Sequence, residues 1–426
     1  MITLSGQPAN AGAVNEPWEE HRAPGVREGS APRDSTELRE RVRQFLAEHD
    51  PAGMDRLDFL RARYDAGLAW VHFPEGLGGL GIERNKQPIV EAEFAKAGAP
   101  DNDPRRIGIG LGMAAPTILA HAGEEQKKRW LRPLWTGEEV WCQLFSEPGA
   151  GSDLAALATR AVRDGDDWVV NGQKVWTSQA HKASWAILVT RTDPDVPKHK
   201  GLTYFAIDMT QPGVEVRPLR QMTGEAEFNE VFMTDARIPD EHRLGAVGDG
   251  WRVATTTLMN ERVAIGGGGA PREGGMIGFA AKDWREHPEL RTPGKHDELM
   301  RLWVQAEAVR LTGRRLSQQM AAGQPGPEGS AAKLAFAELN QKISGLEMEF
   351  LGEQALRYDD WTMRRPERTD MLGAQRAPGF RFLRAKGNSI EGGTSEVMRN
   401  IVAERVLGLP KEMRADVDVP WKDIPR

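Results

Sequence analysis

Ser146-Glu147-Pro148-Gly149-Ala150-Gly151-Ser152-Asp153, followed by Asn171-Gly172-Gln173-Lys174-Val175-Trp176-Thr177-Ser178, is the most informative part of this chain. The first run is a glycine-rich polar turn, dense in backbone N–H donors. The second reads as an alternating strand that ends in an indole and two hydroxyls. Together they offer an aromatic wall and hydrogen-bond donors to a flat, heteroatom-rich ring. Period-two patterning extends outward from here, at 161–163, 168–170, 173–177, 186–190, 203–208, 214–218 and 230–235. Asp164-Gly165 and Asn171-Gly172 are tight-turn dipeptides, and Asn171-Gly172 predicts a hairpin between 168–170 and 173–176. The middle of the chain is therefore expected to be all-β.

Helical patterns flank this block. On the N-terminal side, a capping-box pattern at 34–37 precedes Leu38, Val42, Phe45 and Leu46 at helical spacing, and Pro51 stops that helix. Segments 55–70, 87–97, 107–122 and 124–135 also read as helices. On the C-terminal side, Leu299, Leu302, Trp303, Ala306 and Val309 form one apolar stripe. Phe336, Leu339, Ile343, Leu346 and Phe350 form another. Two such faces predict an antiparallel bundle or a subunit interface. The fold expected is α+β and multidomain, in five parts: a disordered arm (1–34), an N-terminal helical domain (35–139), a middle β-barrel or sandwich domain (140–245), a C-terminal four-helix bundle (246–410) and a charged extension (411–426).

At 426 residues the chain can bury several cores. Hydrophobic residues make up 39% and charged residues 28%, with a net charge of −6, so nucleic acid and anionic membrane are disfavoured as main partners. No stretch is long and apolar enough for a membrane span. The polar N-terminus has no apolar leader core. Cys142 is the only cysteine, which excludes an internal disulfide, and the nine histidines show no metal-ligand spacing. The expectation is a cytoplasmic enzyme without a structural metal. Gly76-Leu77-Gly78-Gly79-Leu80-Gly81 matches a dinucleotide fingerprint in letters only. Without a preceding strand it reads as a loop.

The 146–153 turn with Trp176-Thr177-Ser178, the three-part order, and Glu391-Gly392-Gly393-Thr394-Ser395-Glu396 followed by Arg399-Asn400 resemble the flavin-dependent acyl-CoA dehydrogenases over roughly 36–410. The resemblance implies FAD as cofactor and an acyl-CoA thioester as substrate, oxidised to the trans-2-enoyl-CoA. It also implies an electron-transferring flavoprotein as partner and a homo- or hetero-oligomer, commonly a tetramer. Phe145, Ser146, Gly151 and Ser152 would lie along the flavin, with Ser152 also near the thioester. Trp176 would cover one ring face and Ser178 would reach the reactive edge. Thr394 and Glu396 would meet the adenosine side.

Three departures qualify the resemblance. Many members place the catalytic glutamate two residues before the threonine, and that position here is Gly392, facing the substrate. Glu391 is one residue off and stands as the alternative base. Glu261, in Asn260-Glu261-Arg262, matches the position used by isovaleryl-type and long-chain members, with Arg262 near the substrate. The family's Arg-x-x-Phe-Gly segment for the flavin pyrophosphate is missing, leaving Arg291, Arg301, Arg310 or Arg314 as substitutes. The glycine run 266–269 ends the helix after Glu261 in a surface loop or a widened acyl pocket. Two other readings stay open: an oxygen-using relative (an acyl-CoA oxidase or flavin monooxygenase), and one subunit of a heteromeric dehydrogenase.

Overall fold

The computed structural model describes residues 35–266, 271–321, 326–358, 361–368, 370, 372–373, 376–414 and 416–425. The expected arm at 1–34 and most of the glycine run lie outside them. Six helices come first: α1 (Ser35–Glu48), α2 (Arg56–Asp65), α3 (Gln87–Lys96), α4 (Pro104–Ile109), α5 (Ala115–His121) and α6 (Glu124–Thr136). The Asp55 carboxylate caps α2 by accepting from the Leu57 and Asp58 N–H groups. Helix α2 ends at Asp65, five residues before the sequence pattern suggests, because the chain turns left-handed at Gly67 (φ 76°). The 76–81 segment is a loop, as its context requires.

Eight strands follow: β1 (Trp141–Leu144), β2 (Arg160–Asp164), β3 (Asp167–Ser178), β4 (Trp185–Arg191), β5 (Leu202–Asp208), β6 (Val214–Pro218), β7 (Phe228–Pro239) and β8 (Arg243–Leu244). They form one sheet in the order β6-β7-β3-β2-β4-β5-β8, with β1 parallel to β4. The hairpin expected at Asn171-Gly172 does not exist. Strand β3 runs straight through it, and the β2–β3 turn lies between Asp164 and Asp167. Gly172 serves close approach instead: a Cβ there would sit 2.4 Å from Thr159 Oγ1. Asn171 turns sideways, donating from Nδ2 to Asp235 at 2.9 Å and accepting from the Asp235 N–H. Packing against a neighbouring strand has overridden a local turn signal.

Alternation decides what β1 shows to each side. Trp141 and the following Phe145 enter a core shared with α2, α6 and β5. Cys142 and Leu144 enter the core on the sheet's other face, with Trp168, Phe205 and Ile238. Gln143 therefore belongs to the Trp141 side.

The C-terminal helices are α7 (Gly250–Gly266), α8 (Met276–Glu286), α9 (Pro293–Ala321), α10 (Gly329–Leu351), α11 (Pro378–Asn388) and α12 (Ser395–Ile401). Met276, Leu299, Leu302, Ile343, Leu346 and Phe350 make their core, drawn from both predicted stripes. Val253 and Ala254 of α7 instead join the core beneath the sheet, so α7 lies between sheet and bundle. The last residues are not a free extension. Trp421 and Lys422 donate backbone N–H groups to the carbonyls of Val196 and Pro194, and the Trp421 indole donates to the Ala156 carbonyl at 3.0 Å.

Candidate active site

The turn after β1 is built around a buried carboxylate. Glu147 and Ala150 exchange backbone bonds at 3.0 Å each, and the Val175 N–H donates to the Ser146 carbonyl at 2.9 Å, tying the turn to β3. The Glu147 carboxylate accepts from the N–H groups of Ala158 (2.6 Å) and Thr159 (2.9 Å) and from Lys174 Nζ (2.8 Å). Lys174 Nζ also donates to the Phe145 carbonyl at 2.9 Å. Burial pushes the Glu147 carboxyl up, but Lys174 and the donors around it outweigh burial and hold it below its usual range. Phe145 is buried edge-on against Tyr204, while Gly151 and Ser152 are exposed on the far limb of the turn.

Next to this turn β3 breaks register against β7 between Lys174 and Thr177. Inside the break Trp176 adopts φ 61°, rare for a bulky residue and costing about 1–3 kcal/mol. The twist turns the indole outward, 56% exposed, with Phe228 edge-on at 5.8 Å. Ser178 is half-buried and paired with Phe228. The same corner holds three buried side-chain atoms without a partner among the described residues: Thr177 Oγ1, Asn229 Oδ1 and His181 Nε2. An open aromatic face beside unsatisfied polar atoms fits a flat, hydrogen-bonding ring of flavin type.

Helix α7 brings the third component. Tyr204 Oη, Thr257 Oγ1 and Thr117 Oγ1 form a buried chain with 2.8 Å links, which fixes α7 one turn ahead of Glu261. Glu261 is partly buried, and Gln143 Nε2 donates to its Oε2 at 3.4 Å, a long bond. Sequence reading missed Gln143. Its period-two relation to Trp141 and Phe145 was the available signal. The Arg262 side chain lies outside the described residues.

The loop between α11 and α12 faces the same region. Glu391 is fully engaged: Arg384 donates to both carboxylate oxygens (3.1 and 2.9 Å) and Asn388 Nδ2 donates at 2.6 Å. Gly392 and Gly393 have φ of 63° and 96°, so a side chain at 392 would be strained. Beneath them, Lys333 of α10 is buried, donating to the carbonyls of Asn388 (2.8 Å) and Gly393 (2.6 Å). Burial pulls its pKa down, while Glu391, Glu261 and Glu396 push it up. Thr394 caps α12 by accepting from the Val397 N–H, and Glu396 projects outward toward Arg399. Of the arginines offered for a pyrophosphate, Arg291, Arg301 and Arg310 are held locally by the Trp284 carbonyl, Asp297 and Glu307, and Arg314 is exposed on α9.

Among the described residues no His/Cys/Asp/Glu group is arranged to hold a metal, and no helix is long and apolar enough to cross a membrane.

The family descriptions that match are "Acyl-CoA dehydrogenase, N-terminal domain" over 32–138, "middle domain" over 142–236 and "C-terminal domain" over 248–407. Acyl-CoA dehydrogenase FadE34 of Mycobacterium tuberculosis is 42% identical over 353 residues, covering 82% of this chain and 45% of that one. The chain thus spans less than half the length of that relative. Acyl-CoA dehydrogenase IpdE1 of the same organism is 38% identical over 361 residues, covering 82% of this chain and 86% of that one. Among solved structures, the Tcur3481-Tcur3483 steroid ACAD superimposes with a TM-score of 0.67 at 27% identity, covering 89% of this chain and 99% of that chain.

Proposed function

The chain belongs to the acyl-CoA dehydrogenase family, and on that premise we propose that it oxidises a saturated acyl-CoA thioester to the trans-2-enoyl-CoA, with Glu261 as the base. FAD, when bound, supplies the acceptor for the β-hydride. Glu261 takes the α-proton, so the pair of hydrogens leaves as one proton and one hydride. The observation that carries this reading is the clamping of the alternative base, Glu391. Glu391 is bound on both oxygens by Arg384. Glu261, on α7, accepts from Gln143 Nε2 at 3.4 Å, beside the turn that follows β1. A base must be able to change its protonation state, and a carboxylate clamped by a buried guanidinium is the poorer candidate.

The remaining residues position the reactants. The exposed Trp176 indole forms one wall for the ring, with Phe145, Ser146 and Ser178 along it. Gly151 and Ser152 meet the ring and the thioester. Gly392 leaves room where many relatives carry the base, and Thr394 and Glu396 stand at the nucleotide side. Ser146 and Ser178 can donate to charge that develops on the ring and the thioester carbonyl. Because a solved relative is named as a steroid ACAD, the acyl group proposed is bulky and ring-bearing. The two component names of that relative also favour assembly with a second kind of chain. Arg262, an electron-transferring flavoprotein and a tetrameric assembly belong to the same proposal.

The test is the visible spectrum of the purified protein before and after anaerobic addition of straight-chain, branched and steroid-bearing acyl-CoA thioesters. Bleaching of a yellow protein by one class supports the reading and names the class. Yellow protein that no thioester bleaches sinks it. Colourless protein that gains flavin only with a co-expressed second chain favours the heteromeric form.

A further inference from the structure

The sequence treats residues 411–426 as a charged appendix and gives Lys198 no role. Yet Lys198 has a side chain only 6% exposed, and its Nζ lies 2.5 Å from Asp153 Oδ2 and 2.5 Å from Asp416 Oδ2. Asp153 closes the turn that bears Gly151 and Ser152. Asp416 belongs to the C-terminal segment. One buried ammonium therefore joins the candidate thioester turn to the end of the chain.

The attachment is made at several further points. Trp421 lies over the guanidinium of Arg191 at 4.6 Å and donates from its indole to the Ala156 carbonyl. Arg191, itself buried, donates to the carbonyls of Ala155, Leu157 and Lys198. The cation that supports Trp421 thus also ties the exit of the turn to the Lys198 loop. Lys422 pairs with Asp195 at 2.6 Å, and Asp416 also receives Arg414 at 3.2 Å. His199, next to Lys198, packs edge-on against Trp251 at 4.8 Å, near the start of the helix that carries Glu261. Turn, loop, tail and base-bearing helix meet in one cluster.

We propose that Lys198 is a positioning residue for the 149–153 turn, and that the C-terminal segment 416–424 completes the thioester side of the active site by holding Lys198 and the exit of that turn in place. This deepens the dehydrogenase reading and rests on it. The far limb of the turn faces open space: a Cβ added at Gly149 or Gly151 would meet nothing within 4 Å, and Ser152 is exposed. A buried lysine flanked by two carboxylates satisfies its charge only when both segments are in place. Loss of the tail leaves the turn free to sample conformations in which Ser152 no longer meets the thioester. The consequence falls on binding the substrate rather than on the proton transfer, which occurs at α7.

The experiment compares the full chain with Asp416→Asn, Lys198→Met, Lys198→Arg and a chain stopped after Pro410. Two readouts are taken: amide exchange of the peptide spanning 145–157, and KM against kcat for the thioester that bleaches the wild type. Expected are about tenfold faster exchange in 145–157 and about tenfold higher KM in Asp416→Asn, Lys198→Met and the shortened chain, the size of a lost charge-assisted bond. The visible spectrum and kcat should stay near wild type, and Lys198→Arg should recover most of the loss. Unchanged exchange overturns the proposal, and so does faster exchange with unchanged KM. If the shortened chain fails to fold, Asp416→Asn carries the test, because it removes one charge at constant shape. A wild type that no thioester reduces overturns the dehydrogenase reading, and with it the role of the tail in substrate binding. The exchange comparison still decides whether the tail holds the turn.

Discussion

Replacing Lys174 by methionine should loosen the turn at the centre of the candidate site. The ammonium is completely buried, and the carboxylate it pairs with is 8% exposed. Removing one partner of a buried ion pair costs about 3–5 kcal/mol, because the other charge stays behind in a low-dielectric setting. Here the remaining charge, Glu147, keeps the two N–H donors of Ala158 and Thr159. The cost should therefore sit near the low end, about 3 kcal/mol, including the lost bond to the Phe145 carbonyl. Native-state amide exchange is the suitable assay, since a chain with several cores need not unfold in one step. About 3 kcal/mol corresponds to roughly a hundredfold faster exchange through local opening of 145–159. In the double variant Lys174→Met/Glu147→Gln the loss should be smaller than the sum of the two single losses, because no uncompensated charge remains. Exchange in Lys174→Met within a few-fold of wild type, or strictly additive losses, would refute the reasoning. The pair also fixes a pH limit. Glu147 is held below its unfolded value, so its contribution is present above about pH 4.5 and disappears as pH falls through the lower folded value.

Glu261→Gln should slow reduction of the flavin by a thioester about 10²–10⁴-fold with the visible spectrum retained, whereas Glu391→Gln should leave that rate near wild type while loosening the loop that Arg384 holds; stopped-flow absorbance separates them, and the reverse pattern assigns the base to Glu391. Burial raises the Glu227 carboxyl to about 7, against the opposing pull of Arg384, whose Nε lies 3.5 Å away without forming a hydrogen bond. Its folded pKa is above its unfolded one, so its stability contribution is full below about pH 4.5 and is lost as pH rises through 7, up to about 3 kcal/mol. Glu227→Gln should flatten that slope in denaturant titrations between pH 5 and about 8, and an unchanged slope shows that another group titrates. Trp176→Gly should leave the apoprotein as stable as wild type or slightly more so, by relief of about 1–3 kcal/mol of backbone strain, yet weaken FAD binding about tenfold in fluorescence titrations; equal affinity removes the indole from the ring wall.

The helix–sheet–helix order was legible because hydrophobic period is a local property that survives without knowledge of contacts. The stripes at Leu299 and Ile343 pack in one core as the pattern predicts. What failed was punctuation. Asn171-Gly172 is a good hairpin sequence, but β7 supplies twelve residues of partner strand, and Thr159 leaves room only for a glycine at 172. The residues proposed for the site lie in the motifs themselves and are named from the sequence. Those that hold the motifs were not singled out: Gln143 and Lys174 sit within or beside the motifs, but nothing in the sequence says that their side chains turn inward, and the same holds for Lys198 and Lys333. A lysine in a sequence is by default a surface residue.

The buried lysines explain how such loops can be accurate. Three segments of the candidate site, at 145–150, 149–153 and 388–394, each contain glycine, and apart from Phe145 and Ala150 they contribute no side chain to the buried core clusters. Each contains or abuts the ammonium of a buried lysine: Lys174, Lys198 and Lys333 respectively. A buried ammonium without partners is very costly, so it stabilises the one loop conformation that supplies carbonyl and carboxylate oxygens and penalises all others. That is stronger conformational selection than an apolar contact of the same size provides, because a misplaced methyl loses little and a misplaced charge loses several kcal/mol. The arrangement also separates order from chemistry. The Glu147 carboxylate that satisfies Lys174 is locked by three donors and unsuited to proton transfer. Glu261, the proposed base, lies instead on α7, outside these three lysine-held segments.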